Sequence, residues 1–200
     1  MNPLTSVLGT IISGFVLAIL IVLGVNTGSV SPIEIVVWFH VLAGVLWIGL
    51  LYYFNFVQVP AVGQALGEAD SGGPGAAAIN KYVAPRALLW FRWGAVATWL
   101  TGAAALGHMK ILGSAFTFEN FTFASSVSVI GIGAWLGTIM LFNVWVLIWP
   151  NQKKILGIVE ANPDEIPGCK KVALMASRTN TLLSIPMLLC MTGYGHGMTF

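Results

Sequence analysis

Hydrophobic residues along this chain come in five long, nearly unbroken runs, with no strict alternation of the kind a half-buried strand shows. The first spans Leu4 to Val25. The second begins at Glu34 and runs to about Val59, where Pro60 is expected to end it. The third covers about Tyr82 to Gly107, the fourth about Val127 to Trp149, stopped by Pro150, and the fifth about Val172 to Tyr194, with Pro186 expected to kink it. About 20 apolar residues suffice to cross a bilayer as a helix. The pattern therefore predicts an all-α integral membrane protein, a bundle of five transmembrane helices.

Between the runs lie polar connections. Residues 26–32 form a turn rich in Gly, Ser and Thr. Ala61 to Asn80 contains SGGPGAAA and reads as a flexible loop. Met109 to Ser126 (with SAFTFENFTFASS) is polar and aromatic, suited to an interface. Residues 151–171 carry seven of the sixteen charged residues and read as a polar loop holding Cys169. The first run has no Lys or Arg before it and no Ala-x-Ala after it, so it is expected to stay as a helix and not to be cleaved as a signal peptide. Domain organisation follows: 1–34 as an N-terminal helix and turn, 35–200 as a four-helix membrane domain.

Composition agrees with the pattern. The chain is 57% hydrophobic and 8% charged, where soluble domains carry roughly 25% charged residues. The nine Lys and Arg form no patch that would suit nucleic acid. Their placement instead sets orientation. Lys81, Arg86 and Arg92 fall on the side of the second connection, and Lys153, Lys154, Lys170, Lys171 and Arg178 on the side of the fourth, leaving Lys110 alone opposite them. By the positive-inside rule the N-terminus is cytoplasmic and the C-terminus lies on the other face.

That topology brings the three histidines of the sequence to one side. His40 lies near the start of the second run, His108 at the end of the third, and His196 just past the fifth. A histidine in an apolar run is costly unless it faces the interior, pairs, or binds a cofactor. Imidazoles from neighbouring helices are common axial ligands of haem iron, so all three are candidate ligands. Gly44, Gly49, Gly94, Gly102 and Gly107 supply small surfaces where helices or a flat ring can approach. Copper and zinc are less favoured, since only Glu34 and Glu119 supply carboxylates on that side and no tight ligand spacing such as HxxxH occurs. Cys169 and Cys190 are 21 positions apart, which excludes CxxCH and covalent c-type haem. Arg86, Arg92 and Arg178 form a second candidate cofactor-binding set, near Asn55, Gln58, Asn143 and Asn180 in depth, where guanidinium groups suit propionates, a quinone or an anionic substrate. Trp38, Trp90, Trp93, Trp145 and Trp149 read mostly as an interfacial belt.

Three stretches also carry a resemblance. WFHVLAGVLWIGLLYYFNFVQVP in the second run, FNVWVLIWPNQKKILG closing the fourth, and SRTNTLLSIPMLLCM followed by His196 resemble the membrane (N-terminal) domain of PuuD-type urate hydroxylases, the urate oxidase family. The spacing of His40, Gly44, Trp47 and Gly49 also occurs in HemJ-type and CopD-like membrane proteins, which are more distantly similar. The resemblance covers about Ile35 to His196. It implies a membrane-bound oxidoreductase domain, whose full-length relatives carry a C-terminal cytochrome c.

Taken together, the expected function is a membrane-embedded haem b protein or redox subunit, with His40 and either His108 or His196 holding iron. It would carry electrons to or from a membrane or periplasmic redox partner or a larger complex. The expected location is the bacterial inner membrane, as a multi-pass protein. Two alternatives remain: a cofactor-free accessory subunit of a larger membrane complex, or an oxidase of urate or a porphyrin-like substrate held by the three arginines.

Overall fold

A computed structural model describes residues 2–25, 28–117 and 126–197. Among these the chain is helical, with no strand. Helix α1 is Val7–Val25, α2 is Pro32–Gly67, α3 is Ala84–His108, α4 is the short Leu112–Phe116, α5 is Val127–Ile155 and α6 is Ile166–His196. Four of them, α1, α2, α5 and α6, are long and apolar enough to cross a membrane. The third expected crossing, α3, has 25 residues and ample length, but its three Trp and two Arg leave it less apolar than those four. The chain divides into two compact units, residues 1–35 and 36–200. The first is essentially α1, none of whose residues is buried. Part of the interfacial connection, residues 118–125 with Glu119, lies outside the described residues.

Two expected helix ends are corrected. Pro60 does not end α2, which continues to Gly67, and Pro150 does not stop α5, which continues to Ile155. A proline inside an α-helix clashes with the carbonyl four residues back and removes a donor. Here the helix is widened into a π turn just before each ring. Phe54–Gln58 precedes Pro60, and Asn143–Ile148 precedes Pro150. A third π turn, Ile79–Val83, precedes Pro85 at the start of α3. In all three the residue before the proline donates five positions back: Val59 to Phe54, Ala84 to Ile79, and Trp149 to Val144. The wider turn lets the chain pass the ring without breaking. As a result the loop expected over 61–80 shrinks to residues 68–76, and helix is regained at residue 77. Likewise Cys169, Lys170 and Lys171 lie in the first turns of α6 and not in a loop. Both cysteines are free and buried on that one helix, about 32 Å apart at 1.5 Å per residue.

Within the second unit, α2, α3, α5 and α6 share one core. Trp47, Leu51, Phe91 and Met140 are almost fully enclosed, and Phe54 meets Phe91 edge to face at 5.4 Å. Gly94 lets α3 close on α2: a Cβ there would lie 3.5 Å from the backbone nitrogen of Trp47. Gly133 does the same for α5 against α6, 3.1 Å from the Cβ of Cys190. Such small-residue contacts are how helices pack when apolar burial against lipid gives little drive.

Polar rungs tie α6 to its neighbours. Asn180, with no exposed surface, donates to the carbonyl of Met140 (2.9 Å) and accepts from Asn143 (2.8 Å). The Tyr52 and Ser184 hydroxyls bond at 3.0 Å, and Asn55 donates to Ser177 at 2.8 Å. Replacing Asn180 by Leu removes two buried bonds and is expected to cost about 1–3 kcal/mol. Denaturation in mild detergent would measure it, and the double replacement with Asn143→Leu should cost less than the sum of the two singles, because they share one network.

Candidate functional site

His40, Gly44, Trp47 and Leu51 follow one another at helical spacing on the inward face of α2. The His40 ring crosses to α3, where its Nδ1 lies 2.8 Å from the Thr98 carbonyl and 3.3 Å from Thr101 Oγ1. A carbonyl can only accept, so Nδ1 carries the hydrogen and, in the neutral ring, Nε2 keeps its lone pair. Nearby hydroxyls are occupied along their own helix: Thr98 Oγ1 donates to the Gly94 carbonyl at 2.7 Å and Thr101 Oγ1 to that of Ala97 at 2.6 Å. Gly102 provides the space. A Cβ there would sit 2.9 Å from His40 Cε1 and 3.2 Å from Nδ1, closer than packed carbons come.

The other two histidines are exposed at helix ends. His196 closes α6, with Nδ1 2.9 Å from the Thr192 carbonyl, so its Nε2 is free in the same way. His108 closes α3 and has no hydrogen bond among the described residues. Depth can be read from the antiparallel register of α2 and α6. Tyr52 meets Ser184 and Asn55 meets Ser177. Counting back to His40 from each pair gives residues 196 (184 + 12) and 192 (177 + 15) as its level on α6. His40 and the last turn of α6 thus share a depth, while His108 lies about 9 Å farther along α3 than Gly102. No hydrogen bond joins the histidines to one another, and among the described residues no group of three or more His, Cys, Asp or Glu side chains is placed to hold a metal ion.

The arginines are engaged separately. The Arg92 guanidinium lies over the ring of Trp149, 3.8 Å from its centroid, and Trp145 Nε1 donates to the Arg92 carbonyl at 3.3 Å. Lys153 approaches the same Trp149 ring at 5.9 Å. Arg86, exposed, donates to the Tyr82 carbonyl in the π turn that precedes α3. Arg178 is exposed and makes no hydrogen bond or ion pair among the described residues. Trp145 and Trp149 are half-buried partners of Arg92, a role the belt expectation missed, whereas Trp38, Trp90 and Trp93 are exposed.

Sequence reasoning noted Asn55, Gln58, Asn143 and Asn180 only as neighbours of the arginines. The structure makes them, with Tyr52, Ser177 and Ser184, the polar interior of the bundle. Asn55 Oδ1, Gln58 Oε1 and Trp47 Nε1 are sealed from solvent and have no partner among the described residues. The signal for this set was spacing: Tyr52 and Asn55 on one run, and Ser177, Asn180 and Ser184 on another, recur every three or four residues within apolar sequence. A further groove, between α5 and α6, opens beside Asn143 with a volume of about 430 Å³.

Residues 105–200 match the family described as urate oxidase N-terminal. The match takes in the end of α3 with His108, then α4, α5 and α6 with His196, and it stops short of the stretch holding His40. No curated protein and no solved structure matches the chain.

The tight contact at Gly102 gives a direct test of the His40 geometry. Gly102→Ala must push the imidazole aside, at an expected cost of about 1–3 kcal/mol. Gly107→Ala, where a Cβ meets nothing within 4 Å, should stabilise by about 0.4–1 kcal/mol through reduced unfolded-state freedom. Equal melting shifts for the two variants in detergent would show that His40 is not held against Gly102.

Proposed function

We propose that this chain is a multi-pass integral membrane protein that binds haem b and carries electrons for a membrane or periplasmic partner. The observation that supports it most is the state of His40. Its Nδ1 hydrogen is committed to a backbone carbonyl, its ring rests on a glycine, and its Nε2 is left with a lone pair. That is the tautomer a metal-ligating histidine needs, with the orienting hydrogen bond that raises ligand basicity. His196 has the same arrangement at a comparable depth and is the proposed second ligand. His108, with no orienting bond, is not.

The residues fit such a group on this donor chemistry. Held by His40 and His196, haem iron would supply one-electron redox chemistry. The chain's own part is to hold two imidazoles in one tautomer, to present a glycine-flattened face on α3, and to keep water away with the apolar stripe of α2. The arginines favour an oxidase of an anionic substrate less, because the face of Arg92 is covered by Trp149 and the three guanidinium groups share no partner. Five crossings, with α3 as the third, are proposed from the five apolar runs, and a cytoplasmic N-terminus from the Lys and Arg distribution. The bacterial inner membrane is the proposed location, and what supports a membrane at all is the four helices long and apolar enough to cross one.

Purified protein from haem-replete cells should show Soret and α bands in a reduced-minus-oxidised spectrum. His40→Ala should abolish them, His196→Ala should convert a six-coordinate to a five-coordinate spectrum, and His108→Ala should change neither. A wild-type protein without the bands, folded and haem-free, would sink the reading and leave the cofactor-free subunit in its place.

A further inference from the structure

The groove between α5 and α6 presents unpaired chemistry to an outside molecule. Its walls are Leu147, Val172, Met175 and Ala176, and its polar positions are Asn143 and Thr179, with Lys171 at the far end, about 12 Å along α6. Met175 is 54% exposed and Val172 42%, so the groove is reached from outside the bundle.

The orientation of the Asn143 amide is fixed by a relay. The Met140 carbonyl can only accept, so Asn180 must turn its Nδ2 toward it, at 2.9 Å. Asn180 Oδ1 then accepts, and Asn143 must supply Nδ2, at 2.8 Å. What remains is Asn143 Oδ1, an acceptor with no partner among the described residues, on a groove-lining residue only 7% exposed. An acceptor in an apolar groove needs a donor from whatever fills it. An acyl chain fits the walls but brings none.

We propose that this groove binds a membrane quinol, one ring hydroxyl donating to Asn143 Oδ1 beside the Thr179 hydroxyl, with the apolar substituent lying along Met175 and Val172. The oxidised quinone carries only acceptor oxygens and has nothing to give Asn143. The groove therefore selects the reduced form. The inference rests on the electron-carrier reading for its role, since it names the class of electron donor.

The test is anaerobic titration of the purified full chain in mild detergent with a short-chain ubiquinol and the matching ubiquinone, read by tryptophan fluorescence. Ubiquinol should bind about tenfold tighter or more, since a site built to accept a hydroxyl discriminates against the analogue lacking it. Asn143→Leu should remove the preference. Because that change also breaks the relay to Asn180, Met175→Trp serves as a second variant: it fills the groove without touching the relay and should weaken both forms about tenfold. Equal affinity of the two forms for the wild type, or unchanged binding in Met175→Trp, overturns the proposal. The readout needs no haem, so a missing Soret band with intact quinol preference defeats the haem reading alone, and the converse defeats this one alone.

Discussion

In apolar surroundings a backbone carbonyl has no water to turn to, and it can only accept. That single constraint sets nearly every polar side chain in this bundle. Thr98 fixes the ring of His40, Leu51 fixes the amide of Asn55, and Met140 fixes Asn180 and through it Asn143. Thr192 fixes His196, Leu147 fixes Asn151, and Arg92 fixes the indole of Trp145. Each of the bonds to a histidine or asparagine commits one end of a bifunctional side chain and thereby defines what its other end must be. The free Nε2 of His40 and the free Oδ1 of Asn143 are both consequences of a carbonyl on the opposite side.

The π turns belong to the same constraint. Pro60, Pro85 and Pro150 each remove an amide donor, and each is preceded by a turn wide enough to keep the helix continuous. Such turns disturb the regular ladder, and they often coincide with functional sites. Here a Phe-Asn pair stands at the start of two of them, Phe54-Asn55 opening one and Phe142-Asn143 straddling the start of the other, and both asparagines reach α6. The local widening that tolerates a proline also turns an amide inward.

Much of the helical content was legible in the run lengths, because crossing a bilayer demands about 20 apolar residues whatever the fold. Helix ends were legible only where no compensation exists. Pro60 and Pro150 failed as stops because a π turn carries no distinctive sequence mark beyond the proline it precedes. His40 stood out as one polar residue in an apolar run, and its inward position follows from its spacing to Gly44 and Leu51. Its bond to Thr98 was not legible, since helix register between distant segments depends on side-chain fit such as Gly94 against Trp47. The polar interior of Tyr52, Asn55, Ser177, Asn180 and Ser184 was written in period-three and period-four spacing, yet the arginines drew attention away from it. Of those arginines only Arg92 is held between helices, and it is held by an indole.

The family match separates the two candidate sites in a way that bears on mechanism. Residues 105–200 contain the groove, the Asn143–Asn180 relay and His196, whereas His40 and the face of α3 that orients it lie before residue 105. Along α2 the polar rung at Asn55 and the imidazole at His40 are 15 residues apart, about 22 Å. The groove belongs to the depth of the rung, the histidines to the other end. On the proposed reading as an electron carrier, the bundle needs separate places to receive and to deliver, and His40 Nε2 and Asn143 Oδ1, at different depths, would supply them. The apolar stripe between them, Trp47 and Leu51 above all, then keeps them from sharing water.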